Sequence, residues 1–334
     1  LNASTFRVLE FDVIRALLLS HAGSESGRER LRTLGPHSDS RGVREALALT
    51  GEAVALLTQV GRQPYHDLPD VRESLAAARV DGLALEPRAL LDMASFASGS
   101  VEIARQVAAA PGASRLASLA GGVRDATDLA EAIRRAVLPS GEVADEASPK
   151  LRETRRALAR TRIDLHAVME SYLHGKDADR LLQDKVITRR NDRYVLLLKA
   201  DQRGRVPGIV HGSSGSGASV FVEPMPAVEL NNDIVALCDE ERAEVARILR
   251  DLTSRVRDRA PDLARAAEIM GELDARQAMA SLAKEMDAVE PAVDDGLEVE
   301  LRDARHPLLL PVLAERLGLG TRSRPPVPVS VSVG

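Results

Sequence analysis

The sequence predicts a mainly α fold carrying one small β insertion, and three observations point to it. Apolar residues recur at three- and four-residue steps over most of the chain, Gly and Pro interrupt that pattern at short intervals, and β-branched runs are confined to Val186–Asn232 and the residues after Gly296. Aromatic residues make up only 2% of the 334 residues, with no Trp, which argues against an all-β sandwich and against an aromatic platform for stacking single-stranded bases. Hydrophobic residues at 44% and charged residues at 28% are ordinary for a globular chain long enough to build more than one core.

Ser4 and Phe6 to Leu19 are expected to form the first helix, with Leu9, Val13 and Leu17 at four-residue spacing. Ser26 to Leu34 reads as a second, stopped by Gly35-Pro36. Ser40 to Val60, Val71 to Val80, Glu86 to Ala109 and Ala113 to Val137 follow as helices, separated at Gly61 to Pro69, at Gly82 and at Pro111-Gly112. Packing is sufficient to explain this half; nothing in it has a catalytic spacing.

Ala147 to Leu173 reads as one long helix. Leu151, Leu158, Leu165 and Tyr172 repeat as a heptad, with Thr154, Thr161 and Val168 in the other seam positions. Val228 to Val256 answers with Leu230, Ile234, Leu237, Glu241, Val245, Ile248 and Leu252. Two such stripes flanking an insertion predict an antiparallel coiled-coil stalk about 40 Å long; two helices of a single bundle are the plainer alternative. Within the insertion, Val186–Thr188, Tyr194–Leu198, Gly208–Val210 and Ser219–Val222 read as strands, with turns at Asn191-Asp192 and at HGSSGSGA. The chain then returns to helix as far as Asp287. Gly296 to Leu301 reads as a strand, Pro307 to Leu317 as a short helix or turn, and Pro328 to Val333 as another strand, so a longer parent with an α/β element is expected.

The formal net charge is -5, so bulk charge does not make this a nucleic-acid binder. Lys150 to Val222 nevertheless holds fifteen basic against eight acidic residues, a local excess of seven. The return helix is acidic at Asp239, Glu240, Glu241 and Glu244, which leaves a basic cluster of Lys185, Arg189, Arg190, Arg193, Lys199, Arg203 and Arg205 on the insertion. Guanidinium forks suit phosphate oxygens, and such contacts carry affinity rather than sequence information. A solvated surface with half its arginines paired to acids is the bland alternative.

The stretch from Gly212 to Ser219 fits G-x-x-x-x-G-x-S, but Ala218 stands where a P-loop has its Lys, and a strand follows instead of a helix. A flexible Gly/Ser turn whose residues Ser213, Ser214 and Ser216 touch a nucleic-acid backbone is the better reading. The histidines (21, 37, 66, 166, 174, 211 and 306) have no metal-binding spacing, and the one cysteine, Cys238, reads as a buried thiol rather than a reactive one. No run approaches the roughly 18 apolar residues of a membrane span, and the N-terminal stretch lacks a basic leader; a cytoplasmic, non-membrane location is expected.

Several segments together carry a resemblance: LEFD (Leu9–Asp12) followed by SESGRERL, then RRNDRYVLLLKADQRGRVPGIVHGSSGSGASVFVEPMPAVELNN, and finally DARHPLLL. They resemble the bacterial MutS-type ATPases of the second branch, which lack mismatch-reading and connector domains and carry a C-terminal Smr nuclease domain. The resemblance covers essentially the whole chain. It implies a helical core domain with long antiparallel lever helices and a small β-containing clamp, plus the leading edge of an α/β ABC-type ATPase domain. The corresponding boundaries are 1–146 for the core, 147–257 for the lever stalk with the clamp at about 176–224, 258–290 for return helices of the core, and 291–334 for the start of the ATPase domain.

Arg305, His306 and Pro307 resemble the opening element of that domain, after which a Walker A sequence is expected. Neither it nor a Walker B acid occurs in these residues, so the chain itself is expected to be non-enzymatic and to carry no cofactor. Its full-length parent is expected to use ATP and Mg and to act as a homodimeric ATPase and endonuclease. The resemblance implies a nucleic-acid clamp that suppresses homologous recombination through branched DNA, or one that binds collided ribosomes and their rRNA for ATP-driven splitting. A dimerisation scaffold without nucleic-acid contacts of its own is the third reading.

Overall fold

The computed structural model describes residues 8–36, 39–296, 298–318 and 326–334. Among them the fold is mainly α, with a four-stranded antiparallel sheet and a separate two-stranded one. The chain divides into two compact units, Leu1–Arg134 with Thr253–Gly334, and Arg135–Leu252.

The first unit contains α1 (Phe11–His21), α2 (Glu25–Arg32), α3 (Ser40–Gln59), α4 (Arg72–Ala78), α5 (Pro87–Ala109), α6 (Ser114–Ala120) and most of α7 (Thr127–Ala136). The expected start of the first helix at Ser4 lies outside the described residues. The single helix expected from Ala113 to Val137 is two helices. Gly121-Gly122 interrupts it at a cost of about 1 kcal/mol per glycine in a helix interior, and the Asp125 carboxylate accepts the Thr127 N–H at 2.9 Å to start the next helix.

The α11 helix (Ala260–Glu285) is buried on nearly all sides, and its small residues Ala267, Gly271, Ala275 and Ala278 let its neighbours approach closely. A Cβ on Gly271 would lie 2.9 Å from that of Ser26, and one on Gly27 would strike the Asp274 carboxylate. Asp274 is fully buried and accepts the Gly23 and Ser24 N–H groups at 3.0 and 2.7 Å and the Ser24 hydroxyl at 2.6 Å. Ser24 in turn caps α2 by accepting the Gly27 N–H. The SESG segment is thus spent on docking α2 against α11.

After α11 the first unit continues with β5 (Val299–Ala304), α12 (Pro311–Arg316) and β6 (Val329–Val333), the two strands pairing antiparallel. Arg305 and His306 are exposed, and Pro307 opens the 3₁₀ turn that buries Leu308. Leu308 and Leu313 join Leu17, Leu31 and Leu282 in one cluster. Beside it, Arg316 Nη1 donates to Glu285 at 2.7 Å, and Glu285 lies 2.8 Å from His21 Nε2. Burial and then the Arg316 guanidinium lower His21 below the ordinary imidazole range.

In the second unit, α8 (Pro149–Leu173) pairs with α10, which runs Met225–Asp258 and leaves this unit after Leu252. Contacts step in opposite senses along the two helices: Ser148 to Glu244, Arg155 to Glu241, Arg162 to Cys238. The pair is therefore antiparallel. Leu151, Thr154, Leu158 and Leu165 are buried as the heptad requires, but the seam then passes to Met169 and Leu173, leaving Tyr172 half-buried. A 3.6-residue helix drifts about 20° per heptad against a 3.5-residue repeat, which is enough to move the seam by one position.

Between them lie a short helix α9 (Ala178–Leu181), β1 (Leu182–Arg190), β2 (Arg193–Lys199), β3 (Gly208–Ser213) and β4 (Ser219–Pro224), in sheet order β1-β2-β4-β3. Leu196, Leu198, Val220 and Val222 pack with Leu165, Met169 and Ile234 from the helices. Asn191 and Asp192 both have positive φ, at 49° and 60°, which closes a two-residue hairpin matched to strand twist.

Glu244, only 4% exposed, accepts the Ser148 hydroxyl at 2.7 Å and two N–H groups of Arg247 at 2.8 and 3.0 Å. These bonds, Arg247 first, hold its carboxyl at about 2 rather than 4.5. A depressed folded-state value stabilises above the unfolded one and is lost as pH falls towards 2. Glu244→Gln should therefore lower stability by about 1 kcal/mol at neutral pH and flatten that part of the acid limb in thermal melts run as a pH series.

Candidate nucleic-acid interface

The residues expected to form one basic cluster fall into two groups at opposite ends of β2, about 20 Å apart at roughly 3.3 Å per strand residue. Arg189, Arg190 and Arg193 flank the β1–β2 hairpin, whereas Lys199 ends β2 and pairs with Ser219. A 3₁₀ turn over Ala200–Arg205 follows, carrying Arg203 and Arg205, and the Ala200 N–H donates to Ala218 O at 3.0 Å. That bond sets the turn beside the loop containing Ser214 and Ser216.

At the hairpin end, Glu223 decides which cations are free. Its carboxylate is fully buried and accepts Arg193 Nη1 at 2.7 Å and Asn231 Nδ2 at 2.9 Å, with His211 Nε2 at 2.6 Å. Arg193 also donates to Asn232 Oδ1, so its fork is consumed by the scaffold. Asn231 extends the sheet. Beyond Leu196↔Val222, the next ladder partner of Tyr194 would be Pro224, which has no N–H. The Asn231 amide takes that place, accepting the Tyr194 N–H at 2.9 Å and donating to its carbonyl at 3.0 Å. Arg189 is paired with Asp192 at 3.1 Å and lies over the Tyr194 ring. Arg190 lies 5.0 Å from the Phe221 ring centroid and is exposed, with no acid partner among the described residues.

At the other end, Lys185 sits in the β1 bulge and pairs with Asp179 at 2.8 Å, while Lys199 Nζ donates to the Asp179 carbonyl at 2.9 Å. Lys185 lowers the Asp179 carboxyl below its ordinary range. Arg203 and Arg205 are exposed and have no acid partner among the described residues. Arg180, on the short helix that contacts their turn, has the same status, and sequence reasoning counted it only in the charge tally. Ser213 ends β3 opposite Val220. The Ser214 N–H donates to Ser219 O at 2.9 Å, and its hydroxyl accepts the Ser219 N–H at 3.2 Å, so the Gly/Ser loop is a β3–β4 turn. Gly212 and Gly217 take positive φ there, 127° and 71°.

Sequence reasoning also missed Glu223, Asn231, His211 and the two stacking rings. The run VFVEP followed by LNN signalled Phe221, Glu223 and Asn231, a carboxylate closing an alternating strand and amides in the second turn of the next helix. Among the described residues no group of His, Cys, Asp and Glu could hold a metal ion, and no helix is long and apolar enough to cross a membrane.

No protein-family model matches the chain. It is 36% identical over 313 residues to "Endonuclease MutS2" of Geobacillus sp. (strain WCH70), which covers 92% of this chain and 40% of that protein. Against the protein of the same name from Geobacillus thermodenitrificans (strain NG80-2) it is 36% identical over 307 residues, 91% of this chain and 39% of the relative. Against that of Ruminiclostridium cellulolyticum it is 33% identical over 318 residues, 93% and 40% respectively. The chain therefore belongs to the MutS-type proteins. Within that class it is of the MutS2 type, and it spans about 40% of the length of these curated relatives.

Removing one partner of a buried ion pair leaves the other uncompensated, at about 3–5 kcal/mol. Glu223→Ala should show a loss of that order in urea unfolding, and Asn231→Ala about 1–3 kcal/mol. Arg190→Ala, at an exposed site, should stay within about 0.5 kcal/mol of the parent.

Proposed function

We propose that Arg135–Leu252 works as the lever and clamp of a dimeric MutS-type ATPase and endonuclease that acts on branched DNA to suppress homologous recombination. In this reading α8 and α10 are levers, residues 176–224 form the clamp, the first unit supplies the helical core, and the segment from 291 onward leads into an ATPase domain using ATP and Mg. The observation that carries it is the set of exposed guanidiniums without acid partners among the described residues, Arg190 on the sheet, Arg203 and Arg205 on the 3₁₀ turn and Arg180 on α9, beside a sheet whose buried Glu223 is paired with Arg193. These cations are proposed as the phosphate contacts. Lys185, Lys199 and Arg189 line the ends, Ser213, Ser214 and Ser216 supply the turn between β3 and β4, and Arg193 holds the scaffold instead of touching a ligand. The name "Endonuclease MutS2" of the relatives supports a nucleic-acid partner.

The separation of the ends supports a backbone-reading role. At 3.4 Å per base step along one strand, about 20 Å spans roughly six phosphates, so the two ends grip separate points of a polyanion. Titrating the protein with a four-way junction, a linear duplex of equal length and purified ribosomes across a salt series tests this. Arg190→Gln/Arg203→Gln/Arg205→Gln should weaken junction binding at least about tenfold and reduce the slope of log K against log salt by about 2–3. Binding to ribosomes alone would move the assignment to translation, and a protein that binds none of the three would leave a dimerisation scaffold.

A further inference from the structure

Outside the sheet, α8 carries a second set of unneutralised cations. Arg152, Arg156 and Arg160 recur at four-residue spacing, so they form one row about 12 Å long on the helix surface. Arg156 and Arg160 are exposed and Arg152 is half-buried. None has an acid partner among the described residues, although Glu153 and Asp164 flank the row. This contrasts with Arg155 one position away, which is held by Asp145 and Glu241, and with His166, which pairs with Glu170.

Two features show that packing does not account for the row. Like charges four residues apart on a helix destabilise it by about 0.2–0.5 kcal/mol per pair, and here two such pairs are placed in series. Arg152 also has a buried Nε with no hydrogen-bond partner, whereas buried donors are normally satisfied. The seam of α8 against α10 uses Leu151, Thr154, Leu158 and Leu165, so Arg156 and Arg160 lie off the packed stripe and Arg152 at its edge. An acceptor rich in oxygen anions and repeating along a line would relieve the repulsion along the row, whereas the buried Nε of Arg152 lies out of its reach.

We infer that Arg152, Arg156 and Arg160 form a phosphate-tracking surface along α8, which engages the backbone of a nucleic acid separately from the sheet ends. The inference rests on the nucleic-acid reading above and extends it from the ends of the sheet to the side of the helix. A row of guanidiniums recognises phosphate and not sequence.

The test uses the full chain and a 30-base-pair linear duplex of about 100 Å, with binding followed by anisotropy across a salt series. Arg152→Gln/Arg156→Gln/Arg160→Gln should bind at least about tenfold more weakly at about 50 mM salt, with the salt slope reduced by about 2–3. The matching triple Lys variant should keep the parental slope. Melting temperature of the Gln variant should be equal or higher, because the like-charge pairs are gone; a fall would mark the row as structural and overturn the inference. Parental binding by the Gln variant overturns it alone, provided the Arg190/Arg203/Arg205 variant still loses affinity. Absence of binding by the unmodified chain overturns both readings, and competition by polyglutamate as effective as by duplex overturns phosphate as the ligand of the row.

Discussion

A carboxylate with no access to water, Glu223, organises the second unit. An isolated charge in that position would be prohibitively costly, so the surrounding elements must supply donors: Arg193 from β2, His211 from β3 and Asn231 from α10. Meeting that demand ties three strands and a helix to one point. It also settles where the sheet ends, because Pro224 cannot continue the ladder and the Asn231 amide does so in its place. The same constraint sorts the arginines: the one that neutralises Glu223 is lost to ligands, and its cross-strand neighbour Arg190 is left facing outward.

The first unit solves an equivalent problem with neutral donors. Asp274 on α11 is satisfied by two backbone N–H groups and a hydroxyl at the chain reversal before α2, and Gly27 leaves room for the carboxylate. Glu244 on α10 repeats the device at the start of α8, where Ser148 both caps the helix and donates to the acid. The buried acids Asp274, Glu244 and Glu223 are thus spent on joining elements within each unit. The charge available for a partner is then what remains on the outside, which for the second unit is a set of arginines at the sheet ends and along α8.

Much of the fold was legible in the chain. Helix limits followed Gly and Pro, the α8 and α10 stripes announced an antiparallel pair, and alternating runs marked the strands, because each of these signals is local. Departures occurred where two local signals competed. Gly121-Gly122 sits inside an otherwise helical pattern and breaks it, and the heptad of α8 gave way to the natural helical period near Met169. The candidate site was legible only as composition. An excess of arginines over Lys150–Val222 was visible, but proximity in sequence suggested one cluster, whereas β2 carries Arg193 and Lys199 to opposite ends of an extended strand.

The amino-acid order by itself determined the helical periodicity, the position of the β insertion, the local positive charge and the kinship with MutS-type proteins, since all are properties of neighbouring residues or of alignment along the chain. The tertiary structure alone decided which cations are free. Some arginines meet an acid within one turn, as Arg189 meets Asp192, but others are claimed by elements thirty or more residues away, as with Arg193 and Glu223 or Arg155 and Glu241. Pairing energies fall steeply with distance, so only the folded arrangement distinguishes an arginine that holds the scaffold from one that can hold a phosphate.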